Sequence, residues 1–204
     1  MHPAFRWLVP MVPLLALIAL LGLGLVVATD PTLLAWDAAF LLHLHRYATP
    51  SLTRAVASFT HLGTAWGVLP ATIGLVAIAL WRRRWREGLY LGLMMLGTII
   101  LNPLAKVLWQ RARPSLWEGV PFQGDYSFPS GHATYSLALT LALVLLTWES
   151  PKRPWIVGFG VAFVGLIGLS RLYLGVHYPS DIVGGWLLAT AWAVGLYQVM
   201  FRDH

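Results

Sequence analysis

Six long apolar stretches constrain the fold of this chain more than any other feature of its sequence. A helix needs about 20 apolar residues to cross the hydrocarbon core of a bilayer. The stretches that approach or meet this requirement cover residues 7–28, 63–81, 88–109, 132–148, 155–174 and 182–201. We therefore predict an all-α integral membrane bundle of six transmembrane helices, folded as a single membrane-embedded domain over residues 1–204.

The composition supports a membrane protein and argues against a nucleic-acid partner. Hydrophobic residues make up 58% of the 204 residues and charged residues only 11%, whereas soluble domains carry about a quarter charged residues. The net charge of +6 is spread over short clusters between apolar stretches, as expected for loops between membrane helices. Membrane lipids are the expected surroundings. The absence of cysteine excludes disulfides and thiolate metal sites.

Four arginines between the second and third stretches give the strongest signal for orientation: Arg82, Arg83, Arg84 and Arg86. Because Lys and Arg are enriched in cytoplasmic loops, we predict that both termini are cytoplasmic. The segments 30–60, 110–131 and 175–181 would then face outward. The first apolar stretch exceeds the roughly 7–15 residues of a signal-peptide core, so we expect it to be retained as a helix.

The segment 31–61, between the first two stretches, is too polar to span a bilayer. Its apolar residues recur at near-helical spacing, which predicts one or two helices lying in the outer interface. The sequence Thr49-Pro50-Ser51 would divide them. The glycine pairs Gly22/Gly24 and Gly184/Gly185 permit close helix packing, either within the monomer or between monomers. The oligomeric state is left open.

Three polar clusters lie at the predicted helix ends, where charged and polar residues are costly and usually functional. They are Lys106 with Arg113-Pro114, then Pro129-Ser130-Gly131-His132, and then Ser170-Arg171 with His177 and Asp181. They fall at the end of the third stretch, the start of the fourth, and the connection between the fifth and sixth. The predicted topology places all three on the outer side, so we expect them to converge on one site.

The clusters have the chemistry of a phosphate site. Their cations are Lys106, Arg113 and Arg171, with one acid, Asp181, nearby. Arginine offers a planar fork that matches phosphate oxygens, and lysine adds a point charge. Ser130 is placed to cap the fourth helix, and Gly131 allows its first N–H groups to approach an anion. Arg111, beside this cradle, is open between a headgroup contact and a second phosphate contact.

The two histidines of the clusters differ in their surroundings. Pro179 interrupts a simple helix between His177 and Asp181, so we expect these two side chains to meet across a tight turn. A carboxylate on one ring nitrogen fixes the tautomer and leaves the other nitrogen as a nucleophile. His132 has no acid nearby in sequence and is the better candidate to protonate a leaving oxygen. Taken alone, the His177–Asp181 pair is equally consistent with a structural hydrogen bond.

The three clusters resemble the three signature motifs of the type 2 phosphatidic acid phosphatase superfamily. Every fixed position of those motifs is present, in the expected order: Lys106, Arg113, Pro114, Pro129, Ser130, Gly131, His132, Ser170, Arg171, His177 and Asp181. The resemblance implies that His177 attacks phosphorus to form a phosphohistidine, that Asp181 orients it, and that His132 protonates the leaving oxygen and then activates water. It implies phosphate binding by Lys106, Arg113, Ser130, Gly131 and Arg171. No metal and no other cofactor is implied.

The resulting hypothesis is a lipid phosphatase that acts on a monophosphate or diphosphate lipid. Similarity to compact bacterial members favours undecaprenyl diphosphate or phosphatidylglycerol phosphate over phosphatidic acid. It also implies a bacterial inner membrane, with the site facing outward. Two alternatives stay open: a phosphatase for a soluble ester such as a sugar phosphate, and a non-catalytic protein that binds or transports lipids.

Overall fold

The structure is a computed structural model that describes residues 11–30, 32, 35–64, 66–120 and 123–201. Within these residues it contains eight α helices, one short 3₁₀ helix at His61–Gly63 and no strand. The α helices are α1 Val12–Thr29, α2 Ala35–His45, α3 Pro50–Thr60, α4 Val68–Trp81, α5 Trp85–Trp109, α6 Gly131–Leu146, α7 Arg153–Tyr173 and α8 Pro179–Phe201. The prediction of an all-α protein is confirmed. The start of the first predicted stretch, residues 7–10, lies outside the described residues.

Five helical stretches in the described part of the chain are long and apolar enough to cross a bilayer. They are Val12–Thr29, Pro50–Trp81, Trp85–Trp109, Arg153–Tyr173 and Pro179–Phe201. The α4 helix has only 14 residues and reaches spanning length together with α3 and the 3₁₀ turn. The fourth predicted stretch is the shorter apolar helix α6, with 16 residues. The chain is thus a multi-pass helical bundle in which the central helix, α6, is shorter than each of the five spanning stretches.

The segment predicted to hold one or two helices before α4 contains two, α2 and α3. They are separated at Thr49, whose Oγ1 accepts a hydrogen bond from the Leu52 N–H at 3.3 Å. Thr49 is the N-cap of α3, and Pro50 follows at a position where its missing N–H costs nothing. Both helices pack against α7. Residues 31, 33 and 34 of the predicted segment lie outside the described residues.

The core of the bundle forms where α6 and α8 pack together, flanked by α1 and α7. Its buried residues include Ala138 and Ala142 of α6 with Ala189 and Ala193 of α8, small side chains that let membrane helices approach closely. Several buried polar groups form hydrogen bonds between helices. The Tyr90 hydroxyl, for example, donates to the Ala193 carbonyl at 3.0 Å.

The glycine pair in α8 packs inside the chain. A Cβ at Gly185 would lie 2.6 Å from the Ser130 carbonyl oxygen, and a Cβ at Gly184 would collide with the Phe128 ring. Both positions therefore face the segment that leads into α6. Of the two alternatives left by the sequence, packing within the monomer is what the structure shows.

The helices bring their functional ends to one side of the bundle. The C-terminal end of α5, the N-terminal end of α6 and the connection from α7 to α8 contact one another there. At the opposite end, Arg86 of α5 donates to the Met200 carbonyl of α8 at 2.6 Å. The arginine cluster 82–86 and the three polar motifs therefore lie at opposite ends of the molecule.

Candidate active site

The loop that follows α5 turns back towards the helix ends. Gln110 adopts a left-handed conformation with φ of 46°, and its N–H donates to the Lys106 carbonyl at 2.9 Å. Further along, the Ser127 N–H donates to the Arg111 carbonyl at 2.9 Å, and its hydroxyl donates to the Ala112 carbonyl at 3.0 Å. These bonds hold the start and the end of the loop together and fix the position of Arg113 between them.

A cavity of about 460 Å³ lies at this end of the bundle. Six of the eight site residues predicted from the sequence line it: Lys106, Arg113, Gly131, His132, Arg171 and His177. The other two, Ser130 and Asp181, are fully buried beside it. They are in mutual contact, because the Ser130 N–H donates to the Asp181 carbonyl at 3.0 Å. The structure therefore brings all eight residues together.

His177 lies between two partners of opposite charge. Its Nδ1 is 3.3 Å from Oδ2 of Asp181, and its Nε2 is 3.2 Å from an Nη atom of Arg113. Because the guanidinium at Nε2 can only donate and the carboxylate at Nδ1 accepts, Nε2 is an acceptor and the ring proton belongs on Nδ1. Burial, followed by the charges of Arg113 and Arg171, lowers the pKa of His177 well below its ordinary 6.5. The ring is therefore neutral, and its lone pair lies on the cavity side.

The expected turn between His177 and Asp181 is present. The Asp181 N–H donates to the Tyr178 carbonyl at 3.0 Å, which closes this turn. In the first turn of α8, Oδ2 of Asp181 also accepts the Tyr178 N–H at 2.8 Å. The carboxylate is thus fixed to the backbone of the turn as well as to the imidazole.

Asp125 supplies a second acid that the sequence prediction did not place at the site. Its Oδ2 lies 2.8 Å from Nζ of Lys106, and its Oδ1 accepts from Arg113. Burial raises the pKa of Asp125, but the hydrogen bonds from Lys106 and Arg113 outweigh burial and lower it overall. The expectation of a single nearby acid was therefore wrong. No spacing in the sequence marks Asp125, since it comes from the loop and belongs to none of the three motifs.

Two polar atoms near the cavity are buried without a hydrogen-bond partner among the described residues: Oγ of Ser130 and Nε of Arg171. Ser130 occupies the N-cap position of α6, but its side chain makes no capping bond, so the prediction of a side-chain cap was wrong. Another nitrogen of Arg171 is 3.2 Å from the Thr60 hydroxyl of α3. A buried polar group without a partner costs about 1–3 kcal/mol. An anion that accepts from both groups would remove this cost.

Asn102 of α5 supports the turn that enters α6. Its side-chain amide donates to the Pro129 carbonyl at 3.3 Å and to the Thr134 hydroxyl at 3.1 Å. A Cβ at Gly131 would lie 3.2 Å from its Oδ1, so glycine is the residue that leaves this contact unstrained. Sequence reasoning missed Asn102. The one available signal was an amide inside an otherwise apolar membrane stretch.

Arg111 lies outside the cavity, although the sequence left it open as a headgroup or second-phosphate contact. Its guanidinium donates to Asp181 and Ser180 of α8 and to Asp37 of α2. Asp37 is buried and was not predicted as part of the site. The signal that could have found it is a lone acid in an apolar helix, which needs a partner when it is buried.

No group of three or more His, Cys, Asp or Glu residues lies close enough to hold a metal ion within the described part of the chain. The polar groups that face the cavity are mostly donors and cations, which suit an anion. The arrangement places a neutral histidine beside a cluster of cations in a multi-pass helical protein, a setting that suits an anion.

Comparison with known proteins agrees with this class. The pattern of the PAP2 superfamily matches residues 87–204, which include all three motifs. The chain therefore belongs to the PAP2 superfamily, the type 2 phosphatidic acid phosphatases. It is a membrane-embedded phosphatase that hydrolyses phosphate esters.

Two curated relatives and one solved structure illustrate the similarity. The chain is 31% identical over 155 residues to the undecaprenyl-diphosphatase of Sulfolobus acidocaldarius, covering 74% of this chain and 70% of that protein. It is 30% identical over 145 residues to phosphatidylglycerophosphatase B of Bacillus subtilis, covering 68% and 70%. The crystal structure of a transmembrane PAP2-type phosphatidylglycerolphosphate phosphatase from Bacillus subtilis superposes with a TM-score of 0.84 at 24% identity, covering 95% of this chain and 98% of that one. This last likeness shows a shared fold.

Proposed function

We propose that this protein releases phosphate from a lipid phosphate or diphosphate through a phosphohistidine at His177. One observation carries the proposal. The Nε2 lone pair of His177 lies at a cavity lined by Lys106, Arg113 and Arg171, where Oγ of Ser130 and Nε of Arg171 are buried without a hydrogen-bond partner among the described residues. A phosphate would accept hydrogen bonds from these groups while its phosphorus faced the imidazole.

The proposed reaction has two displacements. In the first, Nε2 of His177 attacks phosphorus, the bond from phosphorus to the leaving oxygen breaks, and His132, which enters this step as an imidazolium stabilised by the bound phosphate, gives that oxygen its proton. In the second, water attacks the phosphohistidine, His132 takes the proton from water, and the P–N bond breaks to restore Nε2. The proton stays on Nδ1 of His177 throughout. Asp181 accepts a hydrogen bond from it and stabilises the positive charge that develops on the ring.

Two contacts must change when the substrate binds. Arg113 donates to Nε2, so it has to move from the lone pair to a phosphate oxygen before attack. Asp125 holds Lys106 and Arg113 by ion pairs and competes with the phosphate for the same cations. Over half of the Asp125 side chain is exposed, at 54%, which leaves the carboxylate free to move towards solvent.

A lipid is the proposed substrate because the cavity opens among membrane helices. Its lining includes Val107 and Pro103 of α5 beside the cations, so an apolar chain and a phosphate can lie next to each other. The named relatives point to the same class, with undecaprenyl diphosphate and phosphatidylglycerophosphate as the lipids to test first, followed by phosphatidic acid. The arginine cluster 82–86 at the far end of the bundle supports cytoplasmic termini and a site on the outer face of a bacterial inner membrane.

The test is phosphate release by the purified full-length protein in detergent with EDTA present. The panel holds undecaprenyl diphosphate, phosphatidylglycerol phosphate, phosphatidic acid and glucose 6-phosphate. We expect metal-independent release from at least one lipid, and a loss of at least about 1,000-fold in His177→Ala, because removal of a nucleophile costs several orders of magnitude.

The matched control is His43→Ala, since His43 is an exposed histidine of α2 outside the cavity. We expect this variant to retain full activity. Preferential hydrolysis of glucose 6-phosphate would overturn the lipid assignment. Full activity in His177→Ala would overturn the nucleophile assignment.

A further inference from the structure

A buried charged network lies behind the cavity and joins α2 to the first turn of α8. Its centre is Arg111, whose side chain is 10% exposed. One Nη atom of Arg111 donates to Oδ1 of Asp181 at 2.6 Å and to the Ser180 hydroxyl at 2.7 Å. The other donates to Oδ2 of Asp37 at 2.8 Å. The guanidinium lies 4.2 Å from the centre of the Tyr178 ring, which holds its plane in place.

Asp37 anchors this network from α2. Its Oδ1 accepts the Ser180 N–H at 3.0 Å, and its Oδ2 accepts from the Ser180 hydroxyl and from Arg111. The carboxylate therefore caps the N-terminal turn of α8 from another helix. With the Asp37 side chain 2% exposed and that of Asp181 0% exposed, one arginine balances two buried acids.

The two oxygens of Asp181 are divided between the network and the site. Oδ1 takes the 2.6 Å bond from Arg111, whereas Oδ2 takes the Tyr178 N–H and lies 3.3 Å from Nδ1 of His177. The contact with Arg111 is much shorter than the contact with the imidazole. The orientation of the Asp181 carboxylate is thus set mainly by Arg111, on the side away from the cavity. The imidazole of His177 contacts a carboxylate that Arg111 already holds.

Neither Arg111 nor Asp37 lines the cavity. Both Nη atoms of Arg111 are engaged, one by Ser180 and Asp181 and the other by Asp37, so the guanidinium faces these acids and not the cavity. Arg113, only two residues further on, lines the cavity and contacts Nε2 of His177. The two arginines therefore act on opposite sides of the same histidine–aspartate pair.

We propose that Asp37 and Arg111 are positioning residues for Asp181, and that through Asp181 they fix the tautomer and ring orientation of His177. This inference rests on the proposed function of His177 as the nucleophile. It also gives α2, which lies outside the three motifs, a part in the site. Lysine cannot replace Arg111, because a single ammonium cannot hold two carboxylates in a planar fork.

The test compares Arg111→Lys and Asp37→Asn with Arg113→Lys in the full-length protein in detergent, on the lipid that the wild type hydrolyses best. We expect kcat to fall by about 100-fold in Arg111→Lys, the scale of loss for a misplacement of about 1 Å, with KM unchanged within about twofold. Asp37→Asn preserves shape and should lower kcat by a smaller factor in the same way. Arg113→Lys should raise KM as well, because Arg113 faces the phosphate.

A second readout does not depend on turnover. In protein labelled with ¹⁵N-histidine, the His177 signals are assigned by their loss in His177→Ala. We expect a single tautomer with the proton on Nδ1 in the wild type and in Arg113→Lys, and a mixture of tautomers in Arg111→Lys. A purely structural role for Arg111 would lower the melting temperature without changing the tautomer.

The outcomes separate this inference from the proposed function. If the wild type releases no phosphate from any lipid, the proposed function fails, and the tautomer measurement alone decides whether Arg111 positions Asp181. If the wild type is active, an unchanged kcat in Arg111→Lys would overturn the positioning role. A KM raised as strongly as in Arg113→Lys would also overturn it, because it would show a direct contact with the substrate.

Discussion

Arg111 and Arg113 are separated by one residue, yet they belong to regions of opposite electrostatic character. Among the described residues, the region around Arg113 holds three cations and one exposed acid, Asp125, together with two buried polar atoms that have no hydrogen-bond partner. Around Arg111, two buried acids share one cation. Asp37 and Asp181 each form an ion pair with its guanidinium, at 2.8 Å and 2.6 Å. A surplus of donors marks the place where a ligand is needed, whereas a closed set of bonds marks a scaffold.

The largest effect that distinguishes the two regions is expected at the unpartnered groups. Arg171→Gln should lower kcat/KM by about 100-fold, because it removes a charge-assisted contact to the phosphate. Ser130→Ala should lower it by a smaller factor of about 10. Steady-state phosphate release checks both values. Activity within twofold of the wild type in both variants would show that surplus donors are a poor guide to ligand contacts in this fold.

An effect in the opposite direction is expected at Asp125. In Asp125→Asn the carboxylate no longer competes for Lys106 and Arg113, so inorganic phosphate should inhibit about 3- to 10-fold more strongly, as expected for the loss of partly exposed ion pairs. Competitive inhibition by phosphate measures this change. Weaker inhibition than in the wild type would mean that Asp125 organises the cations instead of competing for them.

The pH dependence of stability reports on the burial of His177. Its pKa is lowered in the folded protein by burial and by the neighbouring cations, so below pH 6.5 the unfolded chain binds a proton that the folded chain does not. The stability from this residue is therefore present above pH 6.5 and is lost as the pH falls, by up to about 1.4 kcal/mol per pH unit. Unfolding in detergent at pH 5 to 8 should show this loss in the wild type relative to His177→Gln. Parallel curves would contradict it.

The smallest effect is expected at Trp186, which has an unpartnered buried donor but lies outside the cavity. Nε1 of Trp186 is a third buried atom without a partner among the described residues, but Trp186 does not line the cavity. Trp186→Phe removes the unpaired donor and keeps most of the apolar ring, so kcat/KM should stay within about twofold of the wild type. The same phosphate-release assay measures it. A loss similar to that of Ser130→Ala would mean that this tryptophan belongs to the functional site.

The apolar stretches and the three motifs were enough to predict the helical fold and the residues that meet at the cavity. Local spacing carried that information, since His177 and Asp181 lie on one turn and each motif lies at a helix end. The network behind the cavity could not be predicted in this way. Arg111 and Asp37 are 74 residues apart, and Ser180 and Asp37 are 143 apart. Only the packing of α2 against α7 and α8 brings them together.

Asp125 and the side chain of Ser130 were misjudged for a related reason. Both predictions assumed that a residue acts on its nearest neighbours in sequence. Asp125 instead reaches Lys106 across the loop, and the Ser130 hydroxyl is left without the capping bond that its position suggests. Local rules therefore failed where the site itself imposes the geometry.

The short central helix has a consequence for the depth at which chemistry occurs. With 16 residues, α6 is about 24 Å long, about 6 Å less than the hydrocarbon core of a typical bilayer. At one end of this helix, Gly131 and His132 line the cavity. We expect the reacting phosphate to lie below the plane of the neighbouring headgroups and the attacking water to enter through the same cavity. Under the proposed function, we therefore expect a phosphate attached directly to a hydrocarbon chain to reach the site more readily than a phosphate carried on a glycerol headgroup.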